Sequence, residues 1–180
     1  MYHHSLGYIW NKTRLFLMCS IFAGFSAHSQ DVFESARTGN IKQLKKLISL
    51  NKDTILKVNQ MGFDPLMIAC YRGQTKCAVF LIQHGADVNR PSAEGSALQA
   101  ACYQNNTDLA RLLISKGAQL NTQGPDGNTA LMYAVLNQNL KLVDLLKKGG
   151  ADLKLTNKDG QTAHSLAMTL SNSKIQKLVQ

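Results

Sequence analysis

Five small residues, Ser35, Ala69, Ala101, Ala134 and Ala167, recur along the chain at steps of 34, 32, 33 and 33, each inside the same local pattern. A period of that length is the mark of an array, in which one supersecondary unit is stacked several times and buries its apolar side against its neighbours. Gly62-Phe63-Asp64-Pro65-Leu66-Met67-Ile68-Ala69 lies in phase with Gly127-Asn128-Thr129-Ala130-Leu131-Met132-Tyr133-Ala134 and with Gly160-Gln161-Thr162-Ala163-His164-Ser165-Leu166-Ala167. A version one residue shorter runs from Glu94 to Ala101. A second block, Leu81-Ile82-Gln83-His84-Gly85-Ala86-Asp87-Val88-Asn89, matches Leu113 to Asn121 and, in part, Gly150-Ala151-Asp152-Leu153.

Each unit predicts two helices. Asp64, Ser96, Thr129 and Thr162 offer a side-chain oxygen to the free N–H groups of a following helix, and Pro65 or a small residue occupies its first position. That helix is short, about two turns, and breaks near Gly39, Gly73 or Asn105, which tolerate a left-handed backbone. Asn40, Asn106, Asn139 and Asn172 are placed to cap a second helix. Its apolar positions, such as Leu109, Leu112 and Leu113 or Leu142, Leu145 and Leu146, follow amphipathic spacing. Gly85, Gly117 and Gly150 stop it, and a polar turn leads to the next unit.

The pattern resembles the ankyrin repeat, a turn and two antiparallel helices with Thr-Pro-Leu-His opening the first. The resemblance covers Gln30 to Gln180 and implies an all-α solenoid of about five helix-turn-helix repeats with projecting β-turns, approximately 30–59, 60–89, 90–121, 122–154 and 155–180. The chain departs from the family at several positions. The histidine is replaced by Met67, Gln99, Met132 and Ser165, only Pro65 keeps the proline, and His164 stands where leucine is usual. The first unit lacks the motif: Asp31 to Ser49 supplies two helices and an extended insertion, Leu50 to Val58, precedes the second unit, as suits a capping repeat.

Ahead of the array, Met1 to Arg14 carries Lys12 and Arg14 without an acid, Leu15 to Phe25 is almost wholly apolar, and Ala27-His28-Ser29 puts small residues where a signal peptidase reads. Residues 1–29 therefore read as a secretory signal peptide cleaved after Ser29. A retained anchor is the competing reading, and the apolar stretch is about half the roughly 20 residues that span a bilayer. Cys19 lacks the small preceding residues of a lipoprotein processing site.

The net charge is +9, and loss of Lys12 and Arg14 with the signal leaves +7. Lys42, Lys45, Lys46, Lys52 and Lys57 cluster in the first unit, and Lys141, Lys147, Lys148, Lys154 and Lys158 around the fourth. As the solvated face of outer helices they need no ligand. They lack the interleaved aromatics of a single-strand nucleic-acid platform, so no nucleic acid is expected, and an acidic protein or an anionic envelope surface is the better use of such charge.

Chemistry is sparse. Cys70 and Cys102 occupy one site in neighbouring repeats, where inner helices about 8 to 10 Å apart exceed the roughly 4.4 to 6.8 Å between α-carbons that a disulfide prefers. Buried reduced thiols are expected, with Cys70–Cys77 the one pair worth checking. After the signal only His84 and His164 remain, in different repeats, and neither shares a metal-ligand spacing with a cysteine. No phosphate loop follows a strand. No catalytic residue, metal or cofactor is assigned, and a serine nucleophile assembled from distant residues is the enzyme alternative.

What the resemblance implies instead is a binding surface, the concave side formed by turn tips and first helices. Carried onto this chain it comprises Met61, Phe63, Tyr71 and Arg72, then Tyr103 and Gln104, then Asn128, Tyr133, Leu136 and Asn137. Aromatic and arginine side chains are enriched in binding hot spots. Tyr71 and Tyr103 hold equivalent positions and should stand side by side, the competing reading being that the tyrosines fill space between inner helices. The function expected is an exported, periplasmic or secreted, monomeric protein-binding module, acting as adaptor, immunity-type inhibitor or companion of an envelope protein. The alternative is a scaffold tethered to the membrane by an uncleaved signal.

Overall fold

The computed structural model describes residues 30–180, so the signal-peptide expectation for residues 1–29 lies outside the described residues. Ten α-helices and one 3-10 helix make up the array, with no strand among the described residues. They pair as α1 (Gln30–Thr38) with α2 (Ile41–Leu50), α3 (Pro65–Tyr71) with α4 (Thr75–Gln83), α5 (Ala97–Tyr103) with α6 (Thr107–Ser115), α7 (Ala130–Leu136) with α8 (Leu140–Lys148), and α9 (Ala163–Met168) with α10 (Ser173–Leu178). Helices α3, α5, α7 and α9 pack in sequence as an inner layer, and α2, α4, α6, α8 and α10 as an outer one.

The capping chemistry fixes where each inner helix starts. Asp64, Ser96, Thr129 and Thr162 accept from the N–H of Met67, Gln99, Met132 and Ser165. The recurring small residues do two jobs. Ala69, Ala101, Ala134 and Ala167 are fully buried, since any larger side chain would push adjacent inner helices apart. The carbonyls of the first four small residues also close the turn to the outer helix. Ser35, Ala69, Ala101 and Ala134 accept from the N–H of Asn40, Gln74, Asn106 and Asn139 at 2.9, 2.8, 2.9 and 3.1 Å. That closure needs a left-handed residue in between, supplied by Gly39, Gly73 and Asn105 and, at φ 54°, by Gln138. A glutamine in that conformation gives no sequence signal.

Asn40, Asn106, Asn139 and Asn172 cap the outer helices through their side-chain oxygens. The amide nitrogen of the last three reaches back to the preceding repeat: Asn106 to Thr75 Oγ1, Asn139 to Asn105 Oδ1 and Thr107 Oγ1, Asn172 to Gln138 Oε1. In the second repeat the position is Gln74, which makes no side-chain cap and instead donates to Arg37 O at 3.3 Å. Leucines on the inward stripe of the outer helices, Leu44, Leu81, Leu109, Leu113, Leu142 and Leu146, are buried. The core is closed at the end of the array by Ile175 and Val179, also buried.

One correction concerns the insertion after α2. It is not extended: Lys52–Leu56 forms a 3-10 helix whose first turn is held by Asn51 Oδ1 accepting from Asp53 N–H. Thr54 and Ile55 turn inward, and Leu50, Leu56 and Val58 face solvent. No helix among the described residues is long and apolar enough to cross a membrane.

Candidate functional site

The inner helices α3, α5, α7 and α9 contain no Asp, Glu, Lys or Arg, and aromatic rings stand along them. Equivalent helix ends carry Tyr71, Tyr103 and Leu136, all half-buried, and Tyr133 stands one turn earlier in α7. The rings meet edge to face: Phe63 with Tyr71 at 6.2 Å between centroids and Tyr103 with Tyr133 at 5.7 Å, the arrangement favoured by opposed ring quadrupoles.

Each outer hydroxyl is anchored. Tyr71 donates to the Glu94 carbonyl at 2.7 Å and Tyr133 to Asp126 Oδ2 at 3.0 Å. Burial, then the carboxylates of Glu94 and Asp126, push the Tyr71 hydroxyl well above its ordinary range. Burial followed by Asp126 does the same for Tyr133. Both therefore remain neutral donors in any physiological medium. The Asp126 carboxylate is oriented by Asn128, whose N–H and Nδ2 donate to Oδ1 and Oδ2.

The residues expected to face a partner divide into two groups. Met61 and Phe63 lie on a turn organised by Asn59, whose side-chain oxygen accepts from both their N–H groups. They are half-buried, and Phe63 packs against the core as well as Tyr71, so at this tip packing and display coexist. Arg72 is half-buried at the end of α3. Gln104, Asn128 and Asn137, by contrast, stitch repeats together. Gln104 Nε2 donates to Tyr71 O at 2.5 Å, Asn137 Nδ2 to Cys102 O at 2.8 Å, and Asn128 accepts from Gln99 through its carbonyl and from Asn157 through Oδ1.

Glu94 and Asp126 carry roles that the sequence does not single out, and Gln99, noted only as a departure from the family histidine, carries a third. Asp126 had a signal in the Asp-Gly-Asn turn before the Thr129 cap. Gln99, standing where the family has histidine, completes a capping box with Ser96 and reaches the next repeat. Met67 and Met132 fill the same position as buried apolar side chains.

No redox or metal chemistry is built from the described residues. Cys70, Cys77 and Cys102 are free and buried, so the Cys70–Cys77 pairing is not made, and burial raises all three thiols away from the reactive thiolate. No group of three His, Cys, Asp or Glu among the described residues could hold a metal ion. His84 Nδ1 donates to Phe80 O at 2.8 Å.

Two overlapping stretches, residues 32–124 and 98–180, match the family model for ankyrin repeats in three copies. The chain belongs to the ankyrin repeat family. Ankyrin repeats are protein-interaction modules, and the solenoid of paired helices is the fold the family implies. Among curated proteins, this ankyrin chain is 40% identical over 50 residues to the mouse protein fem-1 homolog A-like, covering 28% of the chain and 8% of that protein. It is 34% identical over 67 residues to the human ARF GTPase-activating protein GIT1, covering 37% of the chain and 9% of that protein. The chain thus spans under a tenth of the length of these relatives, and the similarity is one of repeats.

Proposed function

We propose that this ankyrin array is an exported, monomeric module that binds one protein stoichiometrically through its inner-helix face and has no turnover of its own. The observation that carries the reading is the uncharged inner layer, with Phe63–Tyr71 inside one repeat and Tyr103–Tyr133 across the following two, both edge to face. Such half-buried, pre-ordered rings add contact area with little further loss of freedom, as hot spots do. Met61, Arg72 and Leu136 border them. The role is that of an immunity-type inhibitor or a companion of an envelope protein, in the periplasm or the secreted space, and the basic, then apolar, then small-residue order of residues 1–29 supports export. An acidic partner suits the lysines, which the outer helices and turns carry, more than it suits the tyrosine face.

The test is capture from the native envelope fraction by the parent and by a Phe63→Ala, Tyr71→Ala, Tyr103→Ala, Tyr133→Ala variant of matching helicity. A protein retained by the parent alone supports the face. Retention of the same protein by both sinks it. Mass spectrometry of the purified protein decides export separately: a first residue at Gln30 supports cleavage, and an intact Met1 favours the tethered scaffold.

A further inference from the structure

The segment that closes the first repeat combines exposed aliphatic side chains with a run of lysines. Large apolar side chains stand out at Leu50, Leu56 and Val58, 69%, 52% and 50% exposed, within nine consecutive residues. Single exposed aliphatics are ordinary, and elsewhere among the described residues only Met168 is a large apolar side chain of comparable exposure. Beside them in sequence are Lys42, Lys45, Lys46, Lys52 and Lys57, against Asp53 as the one acid between Ile41 and Asn59.

The arrangement is anchored from behind. Leu44, Leu47 and Ile48 of α2 and Thr54 and Ile55 of the 3-10 helix are buried, so their neighbours are held outward. Lys42, Lys45 and Lys46 share the exposed stripe of α2, where the Lys45 ammonium lies 5.7 Å from the Phe80 ring centroid. Lys57 falls between Leu56 and Val58 in sequence, an aliphatic on each side of a charge.

We infer that this surface is a peripheral contact for an anionic phospholipid membrane, with the lysines on headgroups and Leu50, Leu56 and Val58 at the acyl boundary. The sign of the charge selects an anionic occupant. Its chemistry favours lipid over protein, because protein interfaces are enriched in aromatic residues and arginine and depleted in lysine, whereas lysines beside exposed aliphatics are what an interfacial contact uses. The contact is separate from the tyrosine face, so one array can hold a partner while resting on a membrane, and it does not depend on whether residues 1–29 are retained.

Flotation of the full chain with phosphatidylglycerol–phosphatidylcholine vesicles tests it. Two variants are compared with the parent, Leu50→Ser/Leu56→Ser/Val58→Ser and Lys46→Gln/Lys52→Gln/Lys57→Gln. Both alter surface positions, and both keep residues 1–29, so any contribution of that segment cancels. The lysine variant is expected to lose about a hundredfold in partitioning, and parent binding should fall with added salt. The aliphatic variant should also bind less, with unchanged thermal unfolding. Variants that float like the parent overturn the inference. So does a parent that is retained on immobilised polyglutamate and fails to float, which would put an acidic protein on this surface.

Discussion

The inner helices α3, α5, α7 and α9 carry no charged residue, while the outer helices α2, α4, α6, α8 and α10 carry nine lysines. The inner layer is held by close approach: alanines at every contact, and helices of six or seven residues that a capping oxygen starts and, in α3, α5 and α7, a left-handed residue ends. The outer layer is held by an inward leucine stripe and by asparagines that cap their own helix and, in three cases, reach the repeat before. The difference teaches that size decides what the inner layer tolerates, whereas the outer surface is free to carry charge. The tyrosine rings and the helical lysines of the array thereby fall on different layers.

The sharpest way to break the inner layer is Ala134→Glu. It forces both bulk and an unpaired charge into a fully buried contact and should cost at least about 3 kcal/mol, read as loss of the cooperative thermal transition. An unfolding curve like the parent's would contradict the stacking. Next is Gly127→Ala at the turn between the layers. Gly127 has φ +77°, and a Cβ there would lie 2.7 Å from Lys158 N and 2.9 Å from Asn157 Cα. With left-handed strain added, about 2 kcal/mol of destabilisation is expected in urea unfolding.

The outer layer gives smaller effects of both signs. Asn139→Ala removes a cap and two bonds to the previous repeat and should cost about 1 kcal/mol. Gln74→Asn should gain about 0.5 kcal/mol by installing the missing cap, since the backbone at Gln74, φ −80° and ψ 67°, is close to that of Asn40 at −74° and 77°. If neither shifts the denaturant midpoint, the asparagine ladder is ornamental.

The smallest effect is one of pH. Burial raises the Asp64 carboxyl above its ordinary 3.8, outweighing the Met67 N–H and Arg90, whose Nε lies 3.3 Å away. The folded state therefore holds this proton more tightly than the unfolded chain, and stability falls as pH rises from 3.8 through the raised value. Asp64→Asn keeps an acceptor for the cap and should flatten that part of the thermal stability profile.

Much of this was legible in the residues. Asp64, Ser96, Thr129 and Thr162, and Asn40, Asn106, Asn139 and Asn172, announce helix starts because capping is a local interaction between residues three apart. Gln138 did not announce its left-handed turn, nor the insertion its 3-10 helix, because closure onto Ala134 and burial of Thr54 and Ile55 are imposed by neighbours. The candidate face was half legible for the same reason. Its rings could be placed by period, while the use of Gln104, Asn128 and Asn137 between repeats depends on where the neighbouring repeats sit.

On the side where each inner helix turns into its outer partner, the inter-repeat hydrogen bonds described above have one polarity. Gln74, Gln104, Asn106, Asn137, Asn139 and Asn172 all donate to groups of the repeat before them. A chain emerging N-terminus first meets waiting carbonyl and hydroxyl oxygens, which water can satisfy until the next repeat docks. On this side the array is vectorial: each repeat presents the oxygens to which the following one donates.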